Sequence, residues 1–356
     1  MNSISEAHAG DLMINWEIAS TTAAKLAPAG PRFTPAQVTE EVDALRRAAA
    51  QAVGHVHRIT GLDVAENLGT DPAETLVVDR ATWSKANAQS FRELLGPALK
   101  VVLEQKPELG REGSNAQVFG SSFAGAELGA MLSFLSANVL GQFDPFGQNR
   151  LILVAPNIVE ISTELNVVRE DFRLWVCLHE QTHRVQFAAA PWLADHLRSK
   201  ITELSSSTMG MATGFGERLG EIISEVRKGR GLIEVIQSPA DRETMSHLTA
   251  VMSLLEGHAN VIMDSVDSSI VPSVKTIRRR FEARGKTRTP MEKFIRRLLQ
   301  LDLKAAQYRD GQKFVGHIVE AVGMDSFNTI WESPEHLPTE HELHHPQEWI
   351  ERMGLV

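Results

Sequence analysis

The segment from Asn166 to Ala190 constrains this chain more than any other. It contains no proline or glycine, and its mostly apolar side chains follow the spacing of a helix with one buried stripe: Phe172, Trp175, Val176, Leu178, Thr182 and Val185. Pro191 interrupts the pattern. Within the segment lies the sequence HEQTH, in which His179 and His183 are four residues apart. Residues at this spacing share one face of a helix, so both imidazoles are predicted to reach one zinc ion.

A catalytic zinc ion takes three protein ligands and leaves a fourth position for water. The third ligand is predicted in the apolar helix 246–266, where Glu256, Asn260 and Asp264 share one face. A buried carboxylate needs a cation or a hydrogen-bond partner, which favours Glu256 as the ligand. Asn260 or Asp264 is then expected to hydrogen-bond a ligand histidine from behind. His258, on a different face, is the alternative third ligand. Without a metal, the same pattern describes a hydrogen-bonded core glutamate beside an exposed histidine.

The rest of the chain predicts a mainly α-helical protein with one small β-sheet. Thr34 and Pro35 form an N-cap and first-turn pair that begins a helix over about 35–60, and a second helix is expected over about 80–95. Two short β-branched runs, 74–80 and 150–158, are the expected strands, the second stopped by Pro156.

The chain is expected to be a single unit over residues 1–356, because no linker or fixed repeat divides it. Within it we distinguish an N-terminal helical part over about 1–148, a metal-site part over about 149–330 and a C-terminal tail over 331–356. The charged, histidine-rich tail is predicted to be a solvated loop.

Composition excludes several function classes. With 43% hydrophobic and 23% charged residues, the 356-residue chain is that of a globular protein with a full core, not a disordered or collagen-like one. The net charge of −9 gives no bulk attraction for a polyanion. The segment 275–297 carries a net charge of +8 against −17 for the remainder. It has little aromatic interleaving, so we expect a solvated helix and loop that pair with the protein's own acidic groups, and no nucleic-acid partner.

The expected location is the cytoplasm. Cys177 is the only cysteine, so no intrachain disulfide forms, and the first residues lack the basic and apolar regions of a secretory signal. The most apolar stretch, 124–143, contains Glu127 and many small residues. It therefore predicts a tightly packed core helix and no membrane partner.

Several segments together resemble a known family. They are PNIVEISTELNVVREDFRLWVCLHEQTHRVQFAAAPWL, LLEGHANVIMD, VPSVKTIRRRFEAR, QYRDGQKFV and FNTIWESPEHLP. They are similar to the zincin-like metalloproteases of actinobacteria and relatives, some of which are labelled as associated with deazaflavin-coenzyme biosynthesis. The resemblance extends over nearly the whole chain and implies a zincin-like, mainly helical fold with its metal site at His179 and His183. One departure is Asn260, at a position that is commonly acidic in the family, which weakens the expected carboxylate–histidine bond.

The resemblance also implies a function, a zinc-dependent metallopeptidase with one zinc ion per chain and a peptide or protein substrate. By similarity to glutamate zincins, Glu180 would accept the proton of a zinc-bound water that attacks an amide carbonyl. Tyr308, the only tyrosine, is a candidate donor to the oxyanion, with His258 and His317 as alternatives.

Two other functions stay open at this point. One is a partner-binding or regulatory protein that keeps the zincin scaffold with a structural or vestigial metal. Glu180 argues against it, because a structural site needs no base beside its first ligand. The other is an anion-binding accessory protein that uses residues 275–297.

Overall fold

The computed structural model describes residues 11–68, 75–105, 107, 115–210, 239–284 and 301–355, with side chains omitted for 67, 115–116, 205–210 and 301–309. Twelve α-helices are described in this part of the chain: α1 Trp16–Leu26, α2 Pro35–Thr60, α3 Arg80–Gln105, α4 Asn115–Ser136, α5 Ala155–Glu164, α6 Arg169–Ala189, α7 Leu193–Gly210, α8 Pro239–Asp264, α9 Val274–Arg284, α10 Leu301–Phe327, α11 Glu340–His344 and α12 Pro346–Arg352. Short 3₁₀ turns occupy Asp63–Asn67, Asn328–Trp331 and Pro334–His336. The predicted mainly α-helical class is confirmed.

The described strands form one small sheet in the order β1-β3-β2, with β1 Thr75–Val78, β2 Gly141–Asp144 and β3 Arg150–Val154. The central strand β3 pairs parallel with β1 and antiparallel with β2. Both predicted strands are confirmed in shortened form. The second ends at Val154 because Pro156 lies in the first turn of α5. The sequence did not predict β2, whose residues GQFD include glycine and aspartate, which are uncommon in strands.

The first two predicted helices are confirmed, with one difference in length. Helix α2 begins with a capping box between Thr34 and Gln37 and has Pro35 in its first turn. Helix α3 extends past its predicted end to Gln105 and contains Pro97. Leu99, which follows that proline, is fully buried, so tertiary packing keeps the helix going despite the missing amide donor.

Helices α2 and α6 run parallel and in register, which sets the rotation of α6. Three side chains of α6 contact residues of α2, and in both helices the contacting residues are four positions apart. Arg173 Nε donates to Glu41 Oε1 at 2.9 Å, and Gln181 Nε2 donates to the carbonyl of Ala49 at 3.0 Å. Between them, the Cys177 sulfur lies 3.9 Å from the Leu45 carbonyl. Because this face is committed to α2, His179 and His183 point elsewhere.

Helix α6 also contributes its buried apolar side chains to one of the hydrophobic clusters that form the core. This cluster contains residues of α2, β3, α5, α6 and α9, and includes the fully buried Phe172. A second cluster contains residues of α7, α8, α10 and the C-terminal region, including Phe314 and Trp349. A third cluster lies between α1, α3, α4 and the sheet. The helix is therefore buried over most of its length, as its apolar stripe predicted.

Helix α4 differs from the core helix predicted over 124–143. It ends at Ser136, and the last predicted residues belong to β2. Its glycines face α1 so closely that a Cβ on Gly125 would lie 2.3 Å from the carbonyl of Asn15. Near the N-terminal end of α4, Phe119 is exposed. Among the described residues, the stretch Gln117–Ser136 is the one helical segment with the length and apolar composition of a membrane span.

The prediction that residues 331–356 form a solvated loop is wrong for the described part, 331–355. Two short helices, α11 and α12, meet at Pro346. Trp349 is fully buried and its Nε1 donates to the carbonyl of His336 at 2.8 Å, and Leu343 packs into the same cluster. Each of the two helices carries a buried apolar side chain among its charged residues, Leu343 on α11 and Trp349 on α12. The burial of these side chains orders the segment.

Helix α9 covers the first half of the basic segment, and its arginines bond the protein itself. Arg280 Nη1 donates to the carbonyl of Leu165 at 2.8 Å, and Arg284 pairs with Glu164 at 2.9 Å. Arg278 donates to the carbonyls of Met263 and Val266. Residues 285–297 lie outside the described part of the chain. In the described half of the basic segment, these arginines therefore make contacts within the protein.

Candidate metal centre

His179, His183 and Glu256 meet where α6 crosses α8. Each offers one ligand atom, and these atoms lie within 4.8 Å of one another. The two Nε2 atoms are 3.3 Å apart. The Glu256 carboxylate approaches both, with Oε2 3.7 Å from His179 Nε2 and Oε1 3.9 Å from His183 Nε2. The structure therefore brings together the two histidines of the HEQTH segment and the glutamate expected as third ligand.

The donor set and its spacing fit a zinc ion. Two imidazole nitrogens and one carboxylate are ligands that zinc takes in catalytic sites, and tetrahedral Zn–N bonds of about 2.0–2.1 Å separate two nitrogen ligands by about 3.3 Å. The two Nε2 atoms already have this separation. Each Nε2 atom has one oxygen of the Glu256 carboxylate within 4 Å, so the carboxylate is close enough to complete the set. All three side chains are partly exposed, so a fourth position is accessible to solvent.

Gln186, one turn beyond His183 on α6, orients that histidine. Its Nε2 donates to the backbone carbonyl of Leu255 at 2.8 Å, which fixes the orientation of the amide. Its Oε1 then accepts a hydrogen bond from His183 Nδ1 at 2.9 Å. The proton of His183 is therefore on Nδ1, and the lone pair of Nε2 is directed at the cluster. This role of Gln186 was not predicted from the sequence, although a glutamine three positions after His183 on the same face was a usable signal.

His258 is fully buried, not exposed, and lies on the far side of Gln186 from the cluster. Its Nδ1 accepts from Gln186 Nε2 at 2.9 Å, and its ring packs on Phe327 and Trp331 with centroids 5.4 and 5.3 Å away. Burial lowers the pKa of His258 to about 3, so the ring is neutral. The structure therefore places His258 behind the ligand histidine, in the packed core.

The residues predicted to support the ligands from behind lie elsewhere or form no such bond. Asp264 accepts a hydrogen bond from Gln312 Nε2 at 2.6 Å and lies 3.7 Å from Arg278, two turns along α8 from Glu256. Asn260 makes no described hydrogen bond to either histidine. The support predicted for these two residues comes instead from Gln186. His317 is exposed on α10. The side chain of Tyr308 lies outside the described part, and its role stays a prediction.

Glu180, next to the first histidine, is buried beside the first residue of β2. A Cβ added at Gly141 would lie 2.5 Å from Glu180 Cγ, so only glycine leaves room for the carboxylate there. Burial is the largest cause that raises the pKa of Glu180 to about 7; the neighbouring His183 lowers this pKa and Glu256 raises it. A bound cation would oppose this shift. A carboxyl group with a pKa in this range is suited to exchange protons at neutral pH.

His179 is prepared to bind a metal at neutral pH. Burial is the largest cause that lowers its pKa to about 4, and the neighbouring His183 adds to the effect. A neutral imidazole is the form that binds a metal ion. The ring therefore needs no deprotonation before it coordinates zinc at pH 7.

Strand β2 passes alongside this part of α6. Gly141 lies against Glu180, and two residues further on Phe143 packs on Phe187 with ring centroids 5.6 Å apart. One edge of β2 pairs with β3, and no described strand pairs with the other. The metal centre is thus flanked by an edge strand of the described sheet.

Comparison with known proteins indicates the family of the chain. A family model described as zincin-like metallopeptidase matches residues 14–350. A crystal structure from Chloroflexus aurantiacus, described as a candidate hydrolase with a novel fold, is 30% identical, covers 96% of this chain and 99% of its own, and has a TM-score of 0.66. No curated protein is significantly similar to the chain. With a family match that includes α6, β2 and α8, this chain belongs to the zincin-like metallopeptidase family.

Proposed function

We propose that this protein is a zinc-dependent peptidase that binds one zinc ion through His179, His183 and Glu256 and uses Glu180 as its general base. The observation that carries the proposal is the buried Glu180 carboxylate beside a cluster of two histidines and a glutamate. Family membership supports a metallohydrolase. The restriction to peptides and the roles of the individual residues are our inference.

When bound, zinc would supply Lewis acidity, which lowers the pKa of water and polarises a carbonyl group. The chain's own residues supply the rest. Glu180 accepts a proton on its carboxylate from the attacking water and later donates it to the leaving amine. Gln186 holds the proton of His183 on Nδ1, which keeps Nε2 free as a ligand. Tyr308 remains the candidate donor to the oxyanion.

The edge of β2 with which no described strand pairs supports a peptide as substrate. An extended peptide that added to this edge would form main-chain hydrogen bonds and lie beside Glu180. Gly141, where β2 touches that residue, has no side chain to obstruct it. Binding through the backbone would leave the side chains of the substrate to be selected by the rest of the cleft.

The test compares the zinc-loaded wild type with Glu180→Gln and His183→Ala on a library of unmodified peptides, with products read by mass spectrometry. We expect Glu180→Gln to keep zinc and to lose about 100-fold or more of the cleavage rate, because the base is removed. His183→Ala is expected to lose the zinc ion of this centre together with the activity. Full activity in Glu180→Gln would contradict the mechanism.

The competing function is a partner-binding or regulatory protein with a vestigial metal site. It would be favoured if the wild type held zinc at His179, His183 and Glu256 but cleaved no peptide in the library. The buried Glu180 favours the enzyme, because burying a carboxylate costs free energy and a structural zinc site needs no such group. A cytoplasmic location and the association with deazaflavin-coenzyme biosynthesis are proposals that rest on the cysteine content and on the family resemblance.

A further inference from the structure

A second cluster of metal-binding side chains lies at the corner between α11 and α12. His341, His345 and Glu348 each offer one ligand atom, and these atoms lie within 4.8 Å of one another. Glu348 Oε2 is 3.2 Å from His341 Nε2. All three residues are exposed, and none of them belongs to the centre on α6.

The two imidazoles of this corner lie against each other, and the backbone holds one of them. The rings of His341 and His345 stack with centroids 4.1 Å apart and planes 23° from parallel. His345 Nδ1 donates to the backbone carbonyl of His341 at 3.0 Å, so the lone pair of this ring is on Nε2. A backbone carbonyl behind a ligand histidine is the usual support for a metal-binding imidazole.

The backbone that carries the cluster is anchored by contacts within the protein, unlike that of a mobile surface tail. Thr339 and Glu342 form a capping box that begins α11, and Arg352 of α12 reaches back to Glu342 with an Nε–Oε1 distance of 2.6 Å. Trp349, next to Glu348, is fully buried. The backbone of the three ligand positions is thus held by buried contacts on both helices, which reduces the ordering that binding an ion requires.

We propose that this corner is a second metal site, for zinc or a similar borderline transition metal, that clamps α11 to α12. Imidazole with one carboxylate suits zinc, copper or nickel, whereas magnesium and calcium prefer oxygen ligands alone. The exposed position leaves the remaining coordination places to water. The site does not depend on the proposed peptidase activity.

The experiment is a zinc titration by calorimetry of the metal-free full chain, with elemental analysis after desalting. We expect about two zinc ions per chain for the wild type and about one for His341→Ala/His345→Ala. Glu348→Gln should weaken the second site. His344→Ala is the matched control, because His344 is an equally exposed histidine of α11 outside the cluster, and it should still bind two. Magnesium should bind to neither histidine pair.

The variant His179→Ala/His183→Ala distinguishes this proposal from the peptidase one. It should keep about one zinc ion, and that ion should still slow amide exchange in α12. Loss of the last zinc only when His341 and His345 are also replaced would support the second site. Equal zinc content in the wild type and in His341→Ala/His345→Ala, or unchanged exchange in α12 on zinc addition, would overturn it.

Discussion

At the scale of single residues, the metal centre depends on one glutamine as much as on its ligands. Gln186 joins three groups: the ligand His183, the backbone of Leu255 and the buried His258. Leu255 directly precedes Glu256 in the chain. One amide therefore sets both the tautomer of a ligand on α6 and the distance to the helix that carries the third ligand.

Replacing Gln186 by alanine should lower zinc affinity by about 10- to 100-fold, because the tautomer and ring orientation of His183 are no longer held. Gln181→Ala is the control. Gln181 is an equally buried glutamine of α6 whose amide bonds α2 on the opposite face. Both variants should lose about 1–3 kcal/mol of unfolding free energy, but only Gln186→Ala should change the zinc affinity measured by competition with a chelator. Equal zinc affinities in the two variants would contradict the role of Gln186.

The third ligand can be assigned by comparing Glu256→Ala with His258→Ala. Glu256→Ala should lower zinc affinity more, because its carboxylate faces both histidines. His258→Ala should mainly lower the unfolding free energy, by about 2–5 kcal/mol, because it leaves a cavity against Phe327 and Trp331. Zinc affinity and urea unfolding are measured on both. The opposite order of zinc affinities would make His258 the ligand.

At the scale of elements, the position of the third ligand depends on how closely α8 and α10 approach. A Cβ on Gly257 would lie 2.2 Å from the carbonyl carbon of Gly311, and one on Gly311 would lie 1.9 Å from the carbonyl oxygen of Ser253. The two backbones are therefore in direct contact beside Glu256. No side chain fits between them, so glycine is required on both helices.

Gly311→Ala should push α10 away from α8 and lower the unfolding free energy by about 1–3 kcal/mol, the usual cost of overpacking. Because Gly257 is next to Glu256, zinc affinity should fall as well. Gly316→Ala is the control in the same helix, since a Cβ there meets nothing within 4 Å. It should be neutral or stabilising by up to about 1 kcal/mol through helix propensity. Thermal unfolding and zinc titration of the two variants check this, and equal stabilities would refute the close contact.

At the scale of the whole molecule, several buried or half-buried histidines make stability sensitive to acid. Burial is the main cause that lowers the pKa of His196, His247 and His258, the last to about 3. His196 and His247 also face each other, with their Nε2 atoms 2.7 Å apart. In the unfolded chain each would take up a proton near pH 6.5, while the folded protein resists protonation.

The unfolded state therefore binds more protons below about pH 6.5, and the unfolding free energy of the metal-free protein should fall as pH drops from 7 towards 4. Each such histidine contributes up to about 1.4 kcal/mol per pH unit. The slope is measured by urea unfolding at several pH values. His247→Gln should reduce the slope relative to His317→Gln, which replaces an exposed histidine. Identical slopes would show that the pair does not resist protonation.

The sequence alone determined the fold class, the α6 helix with two histidines and a glutamate on it, and the helix that bears Glu256, because each depends on local spacing along the chain. It could not determine that β2 lies beside Glu180, that Gln186 supports His183, or that Asp264 pairs with Gln312 and Arg278. Those contacts join residues from separate elements, and only the packing of the helices decides which face meets which. The same holds for the C-terminal residues of α11 and α12. Their polar sequence predicted a loop, but burial of Leu343 and Trp349 orders them.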